Sequence, residues 1–98
     1  MKIITAKEVE ALLQEGKTLH IIDVRENEEV ANGKIPGAIH IPLGFLDVRM
    51  NELDKNLEYI IVCHSGGRSG MAANFLTSYG FKAVNMIDGM VAWEGPIE

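Results

Sequence analysis

The run Tyr59-Ile60-Ile61-Val62 constrains this chain more than any other segment. Side chains along a strand alternate between two faces, so consecutive apolar residues need cover on both. Such a run suits a central strand in a parallel sheet covered by helices above and below. The next segment has the opposite character: Cys63-His64-Ser65-Gly66-Gly67-Arg68-Ser69 is small, polar and glycine-rich. From Ser69 onward Met71, Ala72, Phe75, Leu76 and Tyr79 recur at helical spacing, and Gly80 supplies a stop. The pattern is strand, loop, helix, with the chemistry-bearing residues in the loop.

Other segments continue the alternation. Thr5-Ala6-Lys7-Glu8 reads as a capping box ahead of the stripe Val9, Leu12 and Leu13, and Gly16 ends that helix. Leu19 to Asp23 is β-rich, and Glu26 to Ala31 suits a brief helix closed by Asn32-Gly33. Pro36 and Gly37 are turn residues, and Ala38 to Ile41 suits a short strand stopped by Pro42. A helix is expected from Gly44 to about Leu53, with Phe45, Leu46, Met50 and Leu53 on one side. Ala83 to Ile87 reads as a strand, and Met90 to Trp93 as a closing turn or short helix. The expected fold is therefore α/β, a mainly parallel central sheet with helices on both faces, in a single domain over residues 1–98. Ligand crevices in such sheets lie beyond the carboxyl ends of the strands. Asp23-Val24-Arg25, Cys63 to Ser69 and Asp88-Gly89 should all meet at that rim.

Composition narrows the function. Nine basic against fourteen acidic residues give a net charge of −5, and the basic residues are scattered singly. Nucleic-acid binders present a basic stripe, so no nucleic-acid or anionic-membrane role is expected. The single cysteine excludes an internal disulfide, and His20, His40 and His64 lack ligand spacing, so neither a metal nor another cofactor is expected. The apolar stretch Tyr59 to Cys63 falls far short of the ~20 residues a spanning helix needs. Charge appears too early in Met1 to Glu8 for a signal peptide. A soluble, cytoplasmic protein is expected, with a monomer as the simplest assembly.

The loop itself can hold an anion. Gly66 and Gly67 can adopt backbone angles closed to other residues, turning successive N–H groups inward as a nest. The positive end of the following helix adds to that field. A sulfur at its centre is favoured as thiolate, the nucleophilic form, and needs no separate base. Arg68 closes the loop with a fixed charge and planar donors, suited to an oxyanion or to bracing loop carbonyls. The competing structural reading makes Cys63 an inert core cysteine.

These residues resemble those of a known family, the rhodanese-like sulfurtransferase domain in its small single-domain form. Ile22-Asp23-Val24-Arg25-Glu26 is similar to its first signature, and Gly33 to Pro42 to its second. Cys63-x-x-Gly66-x-Arg68-Ser69 is similar to its active-site loop, and Asp88-Gly89-Met90-Val91-Ala92-Trp93 to its closing motif. The resemblance covers nearly the whole chain. It implies that Cys63 attacks the outer sulfur of thiosulfate or another sulfane donor and carries it as a persulfide, held by loop amides from His64 to Ser69. A thiol, cyanide or an acceptor protein then takes the sulfur. The implied partners are thus a small sulfur-containing anion and a thiol or protein acceptor. Lys34 stands where a histidine is frequent and Asp88 where a glycine is frequent, which bears on pocket shape and donor preference.

Around the loop, functional and structural readings stand side by side. Arg25 could meet an anionic donor, or form a surface ion pair with Glu26 or Glu29 worth about 0–1 kcal/mol. Asp23 is expected to anchor loop amides. His64 could attract anions when protonated, or be a replaceable loop side chain. Ser65 and Ser69 could donate to sulfur, with a helix cap as the expected role for Ser69. Trp93, Met90 and Phe45 could wall a pocket or simply pack in the core. Two other functions remain open at this point. One is a phosphatase or arsenate reductase, whose loops place five residues between Cys and Arg where four separate Cys63 from Arg68. The other is a non-catalytic rhodanese-like binding or regulatory module, because fold alone does not establish turnover.

Overall fold

A period of two distributes the paired isoleucines of the central strands between opposite faces of one sheet. Ile21, Ile60 and Val62 enter one core with Val84 and Met86, whereas Ile22, Ile61 and Val24 enter the other with Ala83. The computed structural model describes residues 1–98. Its strands are β1 (Lys2–Ile4), β2 (His20–Asp23), β3 (Ile39–His40), β4 (Glu58–Val62) and β5 (Lys82–Met86). They lie in the order β1-β5-β4-β2-β3, and every neighbouring pair is parallel. The helices are α1 (Ala6–Gln14), α2 (Asn27–Val30), α3 (Leu46–Arg49) and α4 (Gly67–Ser78). Ala6 and Val9 of α1 seal one face, and Ala72, Ala73 and Leu76 of α4 seal the other with Leu46 of α3.

The α/β reading and its parallel sheet hold, and β4 is central as its doubly apolar sequence requires. The capping box is present: Thr5 Oγ1 accepts from Glu8 N–H at 3.2 Å, and Glu8 Oε1 accepts from Thr5 N–H at 2.9 Å. Three elements differ from expectation. The edge strand β1 has no counterpart in the sequence reading, because three residues with two of them exposed carry no usable alternation. The helix expected over Gly44 to Leu53 is broken into a 3₁₀ turn (Leu43–Phe45), the single turn α3 and a second 3₁₀ turn (Met50–Glu52). No side chain caps any of these short pieces. Finally, α4 begins at Gly67 rather than Ser69.

These connections gather one rim. β2 ends at Asp23, β4 at Val62 and β5 at Met86, so the residues that follow each strand lie beyond the same edge of the sheet. That edge carries the Cys63–Ser69 loop.

Candidate active site

The loop owes its shape to two glycines and to the bonds that turn its carbonyls away. Gly66 precedes α4 at φ +97°, and a Cβ there would lie 2.0 Å from the Ile87 carbonyl oxygen. Both the backbone angle and the close approach demand glycine. Gly89 sits at φ +69°, where a Cβ would lie 2.3 Å from the His64 carbonyl oxygen. This contact brings the closing segment onto the loop. Met90 N–H donates to the Cys63 carbonyl at 2.9 Å and Val91 N–H to the His64 carbonyl at 3.0 Å. With those carbonyls held outward, amides of the loop are free to face the sulfur. Gly66 N–H donates to Cys63 Sγ at 3.0 Å.

Cys63 is 1% exposed, beneath the loop rather than on its surface. Burial pushes the thiol pKa up. The Ser69 hydroxyl and the backbone amides of Ser69, Gly66 and Ser65 together outweigh burial, so Cys63 titrates below its ordinary value of 9.0. Gly67, by contrast, has no left-handed angle; it is simply the first residue of α4.

Ser69 is not the helix cap. It lies within α4, fully buried, with Oγ 3.2 Å from Cys63 Sγ and 2.5 Å from Asn85 Oδ1. The helix starts two residues earlier, which turns the side chain of its third residue toward the strand. Asn85 was not among the residues the sequence singles out. A buried amide in the strand Lys-Ala-Val-Asn-Met is its only signal, and Asn85 Nδ2 donates to the Gly66 carbonyl at 3.2 Å.

The arginines also find partners other than those expected. Arg25 is 6% exposed and pairs with buried Asp23, not with Glu26 or the Glu29 carboxylate. Its Nε lies 3.0 Å from Asp23 Oδ1 and its Nη2 2.8 Å from Oδ2, and Nη2 also donates to the Gly33 carbonyl at 2.8 Å. Asp23 also accepts from the Arg25 amide at 3.0 Å, the loop-anchoring role expected of it. Arg68 braces no carbonyl; it meets Glu29 of α2 through two bonds of 2.6 and 2.8 Å. Hydrogen bonding from Arg68 is the main cause that lowers the Glu29 carboxyl to about 2. Glu29 is the partner sequence reading missed, since 39 residues separate it from Arg68. Asp88 accepts from Ala6 N–H at 2.8 Å and so serves the start of α1.

Beside the loop opens a cavity of about 500 Å³ lined by Arg25, Glu29, Asn32, Gly33, His64, Met90, Trp93 and Ile97. His64 and Ser65 are exposed on the loop, and His64 borders the cavity. Met90 and Trp93 combine the two roles weighed for them, lining the cavity and packing against the core; Phe45 does neither, being 58% exposed elsewhere. Lys34 lies outside it and binds Glu98 and the Ala38 carbonyl. No group of three or more His, Cys, Asp and Glu side chains could hold a metal ion, and no helix is long and apolar enough to cross a membrane.

Comparison with known proteins gives a consistent result. Residues 5–96 match the family model described as the rhodanese-like domain. A Bacillus subtilis (strain 168) protein named "Putative sulfurtransferase YtwF" is 44% identical over 95 residues, covering 97% of this chain and 92% of that one. A second protein from the same organism, named "Putative sulfur carrier protein YrkF", is 51% identical over 83 residues, covering 84% of this chain and 45% of that one. The crystal structure of a rhodanese-like domain protein from Staphylococcus aureus superposes with a TM-score of 0.94 at 43% identity, covering 100% of this chain and 97% of that one.

Proposed function

The chain belongs to the rhodanese-like domain family, and from that premise we propose that it is a sulfurtransferase whose Cys63 carries sulfane sulfur as a persulfide. The observation that carries this reading is the buried Cys63 sulfur, bonded by Gly66 N–H and contacted by Ser69, with its pKa held below the ordinary value. A buried thiol without donors would be pushed the other way.

In the proposed reaction the Cys63 thiolate attacks the outer sulfur of thiosulfate. An S–S bond forms to Sγ, the bond to the sulfonate sulfur breaks with its electron pair, and sulfite leaves. The outer sulfur of Cys63–S–S⁻ keeps the negative charge, and amides from His64 to Ser69 receive it. A thiolate acceptor or cyanide then attacks that outer sulfur, and Cys63 leaves as thiolate. No proton moves in either step, so the want of a base beside the sulfur is no obstacle. The names of the two relatives, "Putative sulfurtransferase YtwF" and "Putative sulfur carrier protein YrkF", support sulfur transfer as the reaction class; the acceptor proposed here is a thiol or a protein. Gly66, Ser65, Ser69 and His64 form the sulfur-binding loop, and Gly67 starts the helix behind it. Arg68, Asp23 and Arg25 act on its shape rather than on substrate, because each charge already has an opposite partner.

Thiocyanate formation from thiosulfate and cyanide tests the reading. The wild type is expected to give it and Cys63→Ser to lose it. Thiocyanate at equal rates from both proteins overturns the assignment.

A further inference from the structure

The hydroxyl of Ser69 has one proton and two neighbours that can accept it. Asn85 Oδ1 lies 2.5 Å away on one side and Cys63 Sγ 3.2 Å away on the other. The amide of Asn85 cannot turn round to relieve the competition. Its Nδ2 donates to the Gly66 carbonyl at 3.2 Å, and a flip would set two carbonyl oxygens against each other. Oδ1 therefore stays toward Ser69 and can only accept. We propose that Asn85 is a positioning residue that sets how readily Cys63 ionises, by competing with the sulfur for the single Ser69 proton.

This rests on reading Cys63 as the sulfur-carrying nucleophile. When the thiol is neutral, S–H donates to Ser69 Oγ, and Ser69 O–H donates to Asn85 Oδ1. All three side chains, each no more than 3% exposed, are then satisfied. When Cys63 ionises, the sulfur becomes acceptor only, and the hydroxyl must turn to it and leave Asn85 Oδ1 without that donor. A buried acceptor without a partner carries a free-energy penalty. Asn85 therefore opposes ionisation through Ser69, even as its other arm steadies the Gly66 carbonyl. After sulfur transfer the charge sits on the outer sulfur, Sγ is neutral, and the hydroxyl returns to Asn85. The same turn recurs when the sulfur is handed on and Cys63 leaves as thiolate.

The charged groups nearby have ion-pair or hydrogen-bond partners of their own, although Arg68 is close enough to feel the Cys63 charge. Arg68 is held by Glu29, Arg25 by Asp23, and Asp88 accepts from Ala6 N–H, while His64 is exposed on the loop. Asn85 itself carries no charge, so replacing it leaves the local charge unchanged.

The test reads the pH midpoint of Cys63 alkylation by iodoacetamide, which is independent of sulfur transfer. Ser69→Ala should raise the midpoint, since a donor to the thiolate is lost. Asn85→Ala should lower it, giving about tenfold more thiolate relative to thiol at a given pH. In a Ser69→Ala background, Asn85→Ala should leave it unchanged. A raised midpoint in Asn85→Ala, or an equal shift in both backgrounds, overturns the proposal and leaves Asn85 as a brace for Gly66. If the alanine variant does not fold, Asn85→Val, whose branched side chain suits a strand, carries the same expectation. The wild type provides a check without substitution: the Asn85 side-chain carbonyl ¹³C shift should titrate with the alkylation midpoint, and a flat profile contradicts the proposal. Should the alkylation pattern hold while thiosulfate transfers no sulfur, the proposed function fails and the role of Asn85 stands.

Discussion

Gly66 is the residue on which most of the site depends. Any side chain there meets the Ile87 carbonyl, and the left-handed angle adds a penalty of about 1–2 kcal/mol before that clash is relieved. Gly66→Ala should therefore lose at least about 2 kcal/mol of unfolding free energy in urea titration; a loss under about 0.5 kcal/mol would show that the loop relaxes freely. The Asp23–Arg25 pair makes a second residue-level case. Both side chains are buried, so removing one strands a charge, at a typical cost of about 3–5 kcal/mol. Arg25→Met should show that loss in the same titration, and a near-neutral result would mean that water reaches Asp23. Sequence reading placed both residues at the rim, yet paired Arg25 with surface carboxylates. Residues two apart on an extended chain share a face, so spacing alone allows the Asp23–Arg25 pair; what residue types do not show is that both side chains are buried, where Arg25 also meets the distant Gly33 carbonyl.

Between elements, the Arg68–Glu29 pair is the direct tie from α2 to the loop. The folded pKa of Glu29, about 2, lies below its ordinary 4.5. A carboxyl depressed in this way stabilises the fold fully above the ordinary value and loses that contribution as pH falls from 4.5 toward 2. Both side chains are about one-third exposed, so solvent screening keeps the contribution to about 1 kcal/mol or less. Glu29→Gln should flatten the stability profile in that window, losing up to about 1 kcal/mol at pH 7 and converging with the wild type as pH approaches 2. An unchanged acid profile contradicts the pairing. Elements with local signals were legible in the sequence: the Thr5–Glu8 box, the strand β4 and the Gly80 stop each depend on neighbours a few residues away. Those that depend on distant partners were not. β1 is defined by pairing with β5, Glu29 reaches a loop far along the chain, and Asn85 acts from a strand whose polar residue had no local meaning.

For the whole molecule, a parallel sheet covered on both faces leaves function to one edge. β2, β4 and β5 deliver Asp23, Cys63 and the Asp88-Gly89 turn to it, and the turn holds the loop carbonyls outward. That convergence was expected from chain order alone, because parallel strands alternate with helices and all end on the same side. The identity of Cys63 as the reacting atom is the central claim, and mass tests it most directly. Intact-mass spectrometry after exposure to thiosulfate should show a gain of one sulfur on the wild type, reversed by a thiol reductant and absent from Cys63→Ser. A wild-type mass that stays unchanged, or the same gain on Cys63→Ser, contradicts the account.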